Sequence, residues 1–164
     1  MIPMHIPEDL GKHVVIKDYM DSNHAGNMAN RRSYYGIIIY VNNAPILWYI
    51  KFQNAVEASS FGLEFFVLRI DKEMIEALRY RCSCFGVPVE GPAEIFCDKQ
   101  SIVKNSSIPI SLLNKRHASI CCHRESEDQA TGVLCVGWIP GYFNLAYFFT
   151  RKTMPVNTRH YLVD

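Results

Sequence analysis

Two short apolar runs, far apart in the chain, each deliver an aspartate at their carboxyl end, and nothing else in the sequence constrains the fold as strongly. Val14, Val15 and Ile16, with Tyr19 and Met20 after them, read as a buried strand that ends on Asp21. Ala93-Glu94-Ile95-Phe96-Cys97 reads the same way and ends on Asp98. Between the two, from about residue 57, Phe61, Phe65, Leu68, Ile75, Leu78 and Cys82 recur at helical spacing, and Gly86 and Pro88 stop the pattern. Because a long helix intervenes, the second strand can run parallel to the first through a right-handed crossover. Both aspartates then leave the same sheet edge, where open α/β sheets hold their ligands. Glu64, in the first or second turn of the crossover helix, reaches the same region. Three carboxylates gathered at one point repel one another unless cations are bound among them. Hard oxygen ligands of this kind suit magnesium.

The remaining segments complete a sheet. Residues 22–35 read as a polar loop carrying Arg31 and Arg32. Gly36-Ile37-Ile38-Ile39-Tyr40-Val41 is continuous and β-branched, Asn42-Asn43 supplies residues that tolerate positive φ, and Pro45-Ile46-Leu47-Trp48-Tyr49-Ile50 resumes the apolar run, which together predict a hairpin. Strands one to three therefore form an antiparallel meander. A short helix over 99–105, a longer one over 112–131, a fifth strand over 133–139 and a last aromatic helix over 143–151 follow, with Gly132 and Pro140-Gly141 as the breaks. The expected fold class is α/β, a five-stranded mixed sheet with strands four and five parallel to strand one and helices flanking it. Trp48, Phe61, Phe65, Leu68 and Phe96 are expected in its core. Residues 1–13 read as a lead-in, 14–155 as one domain and 156–164 as a tail.

Charge decides little, since 17 basic residues against 16 acidic ones leave a formal net charge of +1. A nucleic-acid partner would have to be held by local basic clusters and by metal. No signal peptide is legible at the amino terminus and no apolar run approaches the ~20 residues of a membrane helix. The chain is expected to be intracellular, in cytoplasm or nucleus, with its cysteines reduced. Cys82 and Cys84 are split by one residue, and Cys121 adjoins Cys122 and His123, with His117 nearby. These spacings do not match the paired ligands of a structural zinc site. The thiols are expected to be buried and apolar.

Local words extend the pattern. Asp21-Ser22-Asn23-His24-Ala25-Gly26, Arg31-Arg32-Ser33 with Gly36, Pro45-Ile46-Leu47-Trp48, Ser59-Ser60-Phe61-Gly62-Leu63-Glu64-Phe65, Phe96-Cys97-Asp98 with Gln100-Ser101, Lys115-Arg116-His117, His123-Arg124-Glu125, and Asn144-Leu145-Ala146 with Phe149-Thr150 follow one another in a fixed order. Together they resemble the ribonuclease H region of copia-type LTR-retrotransposon polyproteins over about residues 14–155. The resemblance implies a ribonuclease H-like fold and a two-metal hydrolysis of the RNA strand of an RNA–DNA hybrid, with Mg2+ or Mn2+ as cofactor. It implies Asp21 as the ligand shared by both metals, and Glu64 and Asp98 as further metal ligands and catalytic residues. Arg31, Arg32, Lys99 and Lys104 become candidates for substrate phosphates. The implied partner besides the hybrid is an upstream reverse transcriptase region, and a functional element would work within a virus-like particle.

Two departures from that pattern bear on activity. The usual Asp-Ala-Asp is Asp21-Ser22-Asn23 here, and the usual Leu-Ala-Asp is Leu145-Ala146-Tyr147. Tyr147 thus stands at the position of the missing fourth carboxylate, and a phenol with a pKa of about 10 is neutral at pH 7 and a poor magnesium ligand. No histidine lies between Trp138 and Asn144 to serve as a general acid. The expectation is an impaired nuclease, with an inactive relic or a domesticated binding module as the alternative.

Overall fold

The computed structural model describes residues 7–23, 33–52, 60–107 and 132–150, without the side chains of residues 60–65 and 104–107. Three strands, β1 (Ile16–Asn23), β2 (Tyr34–Val41) and β3 (Ala44–Phe52), form the antiparallel meander expected from the sequence. β4 (Ala93–Cys97) lies parallel to β1, and β5 (Leu134–Trp138) parallel to β4, giving a five-stranded mixed sheet in the order β3-β2-β1-β4-β5. The helices are α1 (Ser60–Cys84), α2 (Gln100–Ser107) and the single turn α3 (Tyr147–Thr150), which follows a 3-10 turn over Gly141–Phe143.

Local chemistry sets these boundaries. Asn42 takes φ 57 in the hairpin turn, a conformation that asparagine accepts more readily than most residues. Its side-chain Oδ1 accepts the Val15 amide at 3.0 Å, so the turn is also tied to the start of β1. α1 ends where Gly86 adopts φ 70, and the lead-in packs on this end, with the Leu10 amide donating to the Gly86 carbonyl at 2.8 Å.

One face of the sheet is the core. Ile16 and Met20 of β1, Ile37 and Ile39 of β2, Ile95 of β4 and Val136 of β5 pack with Val67, Leu68 and Ile75 of α1 and Ile102 of α2. Because α1 joins β3 to β4, and both run parallel to β1, it must travel back against the strand direction. Its amino-terminal turns therefore lie toward the carboxyl edge of β1, where Asp21 is.

Several expectations need correction. Ser22 and Asn23 extend β1, and Tyr34 and Tyr35 begin β2, so the loop assigned to 22–35 is shorter than its polarity suggests. Serine and asparagine are held in the ladder by register with Tyr35 and Tyr34. Trp48 is not in the core but 64% exposed, with Ile46 and Ile50 beside it. The cause is alternation on an edge strand: Leu47 and Tyr49 pack against the core, while Trp48 points to the opposite face. Leu68 is buried as expected, Phe96 only half-buried, and the Phe61 and Phe65 side chains lie outside the described residues. Phe143 belongs to the 3-10 turn rather than the last helix, because Asn144 is extended and interrupts the two. Cys97 is buried, but Cys84 and Cys135 are exposed. The helix expected over 112–131, with Cys121, Cys122, His117 and His123, lies outside the described residues.

Gly36 marks a close approach on the second face. A Cβ there would sit 2.7 Å from the Phe149 Cβ and 3.3 Å from the Ala146 carbonyl oxygen. Gly36→Ala is expected to push α3 off the sheet and destabilise the fold by about 1–3 kcal/mol, an overpacking penalty readable as a lower urea midpoint.

Candidate metal and nucleic-acid site

The last paired couple of β1 and β4 on the face away from α1 is Tyr19 and Phe96, whose rings lie 5.3 Å apart between centroids. Asp21 and Asp98 each follow two residues later, so alternation brings both back to that face at the carboxyl edge of adjacent parallel strands. Asp21 remains inside β1, opposite Gly36, and is 3% exposed. Asp98 lies just past β4 and is half-buried.

A carboxylate as buried as Asp21 needs donors. The Thr150 hydroxyl of α3 donates to its Oδ2. Three further bonds fix α3 and the loop before it over this edge. The Asn144 side-chain amide donates to the Met20 carbonyl at 2.8 Å, the Asn144 Oδ1 accepts the Ala146 amide at 3.1 Å, and the Asn23 side chain donates to the Thr150 carbonyl at 2.9 Å. At Asp98 the Trp138 indole donates to the main-chain carbonyl at 2.9 Å. Gly141 lies beside the same residue, where a Cβ would be in ordinary contact with the Asp98 Oδ2 at 3.4 Å.

Tyr147 opens α3 one turn before Thr150 and is half-buried. Residues three apart on a helix share a face, so position 147 is a neighbour of the threonine that holds Asp21. Exposed aromatic rings occur in the neighbouring segment: Trp138, Tyr142 and Phe143 are 45%, 54% and 45% exposed, and the last two lie 4.4 Å apart between centroids.

Of the other expected site residues, Glu64 is placed by its backbone in the second turn of α1, and Lys104 in α2; their side chains lie outside the described residues, as do Arg31 and Arg32 entirely. Lys99 follows Asp98 directly and is half-buried. Among the described residues, which leave out the Glu64 side chain, no three His, Cys, Asp or Glu side chains gather closely enough to hold an ion. The donors at hand, two carboxylates at one sheet edge, fit a hard divalent cation in their chemistry. Thr150, Asn144 and Trp138 were not singled out from sequence as site residues, although Asn144 and Thr150 lie in the words that carry the resemblance. Their polar atoms act on Asp21, Met20 and Asp98, and nothing in the linear spacing names those partners.

No protein-family model matches the chain. Over 144 residues, 86% of its length, it is 25% identical to the retrovirus-related Pol polyprotein from transposon RE2 of Arabidopsis thaliana. The corresponding polyprotein from transposon RE1 is 26% identical over the same share. The chain spans only 10% of the length of either polyprotein. In structure it is similar to LC11 ribonuclease H1 in complex with an RNA/DNA hybrid, with a TM-score of 0.62 at 15% identity over 85% of this chain and 96% of that one. It is also similar to the N-terminal ribonuclease H domain of a Mycobacterium tuberculosis protein, with a TM-score of 0.60 at 14% identity over 90% of this chain and 98% of that one. No described helix is long and apolar enough to cross a membrane.

Proposed function

For a chain that has the ribonuclease H fold and retrotransposon Pol polyproteins as its sequence relatives, we propose a metal-dependent ribonuclease H of a copia-type element, weakened by Tyr147. The observation that carries this reading is the register of β1 and β4, in which Asp21 and Asp98 each follow the Tyr19–Phe96 pair by two residues, with Asp21 held by Thr150. Asp21, Glu64 and Asp98 would hold the ions. Bound magnesium or manganese supplies a Lewis acid for the scissile phosphate and a water activated near neutral pH.

The chain's own residues orient and select. Thr150 keeps one Asp21 oxygen occupied and so fixes the direction of the other. Trp138 holds Asp98 by a hydrogen bond to its backbone carbonyl, and Gly141 lies beside its carboxylate. Trp138, Tyr142 and Phe143 offer flat apolar faces to sugars and bases, and Lys99, with Arg31, Arg32 and Lys104, offers charge to phosphates. On this reading the working partner is the reverse transcriptase segment of the same polyprotein, acting inside the cell in a virus-like particle.

A second reading, an inactive relic that still binds nucleic acid, is favoured by one feature, the phenol at position 147. A labelled RNA–DNA hybrid separates the two. Slow magnesium- or manganese-dependent cutting confined to the RNA strand, and lost in Asp98→Asn, is the expected result. Tight hybrid binding without cleavage in either metal would replace the nuclease with the binding module.

A further inference from the structure

Asp18 and Asp71 are both fully buried, and neither belongs to the site described above. Asp18 occupies a core-facing position of β1, flanked across the sheet by Ile39 of β2 and Ile95 of β4. Asp71 comes from the stripe of α1 that also buries Leu68 and Ile75. Among the described residues none of the four carboxyl oxygens makes a well-formed hydrogen bond; the Tyr19 backbone amide is close enough to favour the charged form of Asp18 slightly, and the two carboxyls are near enough to act on each other electrostatically. The neighbouring elements face them with apolar residues, Ile37 and Ile39 from β2 and Ile95 from β4, besides the Cys97 thiol, which donates to the Lys99 carbonyl at 3.8 Å. Lys72, next to Asp71 in α1, has its ammonium 3.8 Å from the Glu76 Oε1. Two ionised carboxylates in such a setting would repel strongly, whereas one neutral and one ionised group can form a charge-assisted hydrogen bond.

We propose that Asp18 and Asp71 share a proton across the junction of β1 and α1, and that this contact sets the register of α1 on the sheet and so positions Glu64 level with Asp21. The lengths agree. From Asp71 back to Glu64 is about 10 Å along a helix rising ~1.5 Å per residue. From Asp18 forward to Asp21 is about 10 Å along a strand rising ~3.3 Å per residue. Since α1 runs against β1, both paths lead from the pair to the same edge. A slip of α1 by one turn would displace Glu64 by about 5 Å, too far to serve an ion held by Asp21. The positioning of Glu64 rests on the function proposed above; the shared proton does not.

The pH dependence has a definite sign. Burial raises both acids, Asp71 to about 6 and Asp18 well above its ordinary value, with the Asp71 charge raising Asp18 further. The folded chain therefore keeps protons that the unfolded chain has released. Stability is greatest in acid and is lost as pH rises from the ordinary value of 3.8 through about 6 for Asp71 and onward for Asp18. Each such proton makes the unfolding constant rise about tenfold per pH unit.

Urea unfolding of the chain, Asp71→Asn and Asp71→Leu between about pH 4 and 8, with magnesium binding followed by calorimetry, tests both halves. Relative to Asp71→Asn, the natural chain should lose stability about tenfold per pH unit up to about pH 6 and be the less stable of the two at pH 8. A difference between them that does not change with pH overturns the shared proton. Should Asp71→Asn fail to fold, infrared spectra of the natural chain decide: a protonated carboxyl band at pH 7 that vanishes on unfolding is expected, and its absence overturns the proposal. Asp71→Asn, which retains a partner for Asp18, should keep its magnesium affinity, while folded Asp71→Leu should bind about tenfold more weakly. Equal affinity in Asp71→Leu overturns the positioning. Magnesium binding by none of the three, with the pH profile as expected, overturns the positioning and the proposed function together and leaves the shared proton standing.

Discussion

Tyr147→Asp is expected to raise magnesium-dependent cleavage of an RNA–DNA hybrid by about tenfold or more, equivalent to at least ~1.4 kcal/mol of transition-state stabilisation. Position 147 lies one helical turn before Thr150, whose hydroxyl donates to the Asp21 carboxylate, so a side chain there is a neighbour of that carboxylate. A carboxylate offers two anionic oxygens to a hard cation, while a neutral phenol offers one oxygen and brings a ring into the space that water and substrate need. The helix start tolerates the change, since aspartate is favourable in a first turn. Calorimetric magnesium affinity should rise together with the cleavage rate. If both stay at the natural level while the fold is retained, the impaired-nuclease reading fails and the binding module takes its place.

Asp21→Asn is expected to act in the opposite direction and at least as strongly, reducing any cleavage by about 10²–10³-fold, the loss typical of removing one preorganised electrostatic contact. The substitution is nearly isosteric, and the Thr150 hydroxyl can donate to the new amide oxygen as it does to the carboxylate oxygen. The fold should therefore survive, and the loss should appear in metal affinity and rate rather than in the urea midpoint. A variant that binds magnesium and cuts the hybrid like the natural chain would remove Asp21 from the site.

Much of the architecture was legible because it depends on local patterns. The β-branched run before Asn42-Asn43 and the apolar run after it specify a hairpin by chemistry within a few residues, and both strands formed there. Helical spacing from Leu68 through Ile75 and Leu78 marks the core stripe of α1, and a long helix between two apolar strands leaves a parallel crossover as the natural solution. Trp48 shows the limit of the same reasoning. A continuous apolar run does not say whether both faces of its strand are covered, and β3 lies at the sheet edge with only one face against the core.

The sequence by itself determined the order of elements, the antiparallel meander, the parallel return to β4 and the arrival of Asp21 and Asp98 at one sheet edge, because periodicity and turn chemistry act over short stretches of chain. Only the tertiary structure decided what those carboxylates touch. Thr150 reaches Asp21, Asn144 reaches the Met20 carbonyl and Trp138 reaches the backbone of Asp98 through contacts between segments far apart in the chain. Alternation alone puts Asp18 on the same face of β1 as Ile16 and Met20, yet its partner Asp71 is chosen by how α1 lies across the sheet. A side chain's residue type is local, but its burial and its partner are properties of packing, and packing is settled only when the whole sheet and its helices come together.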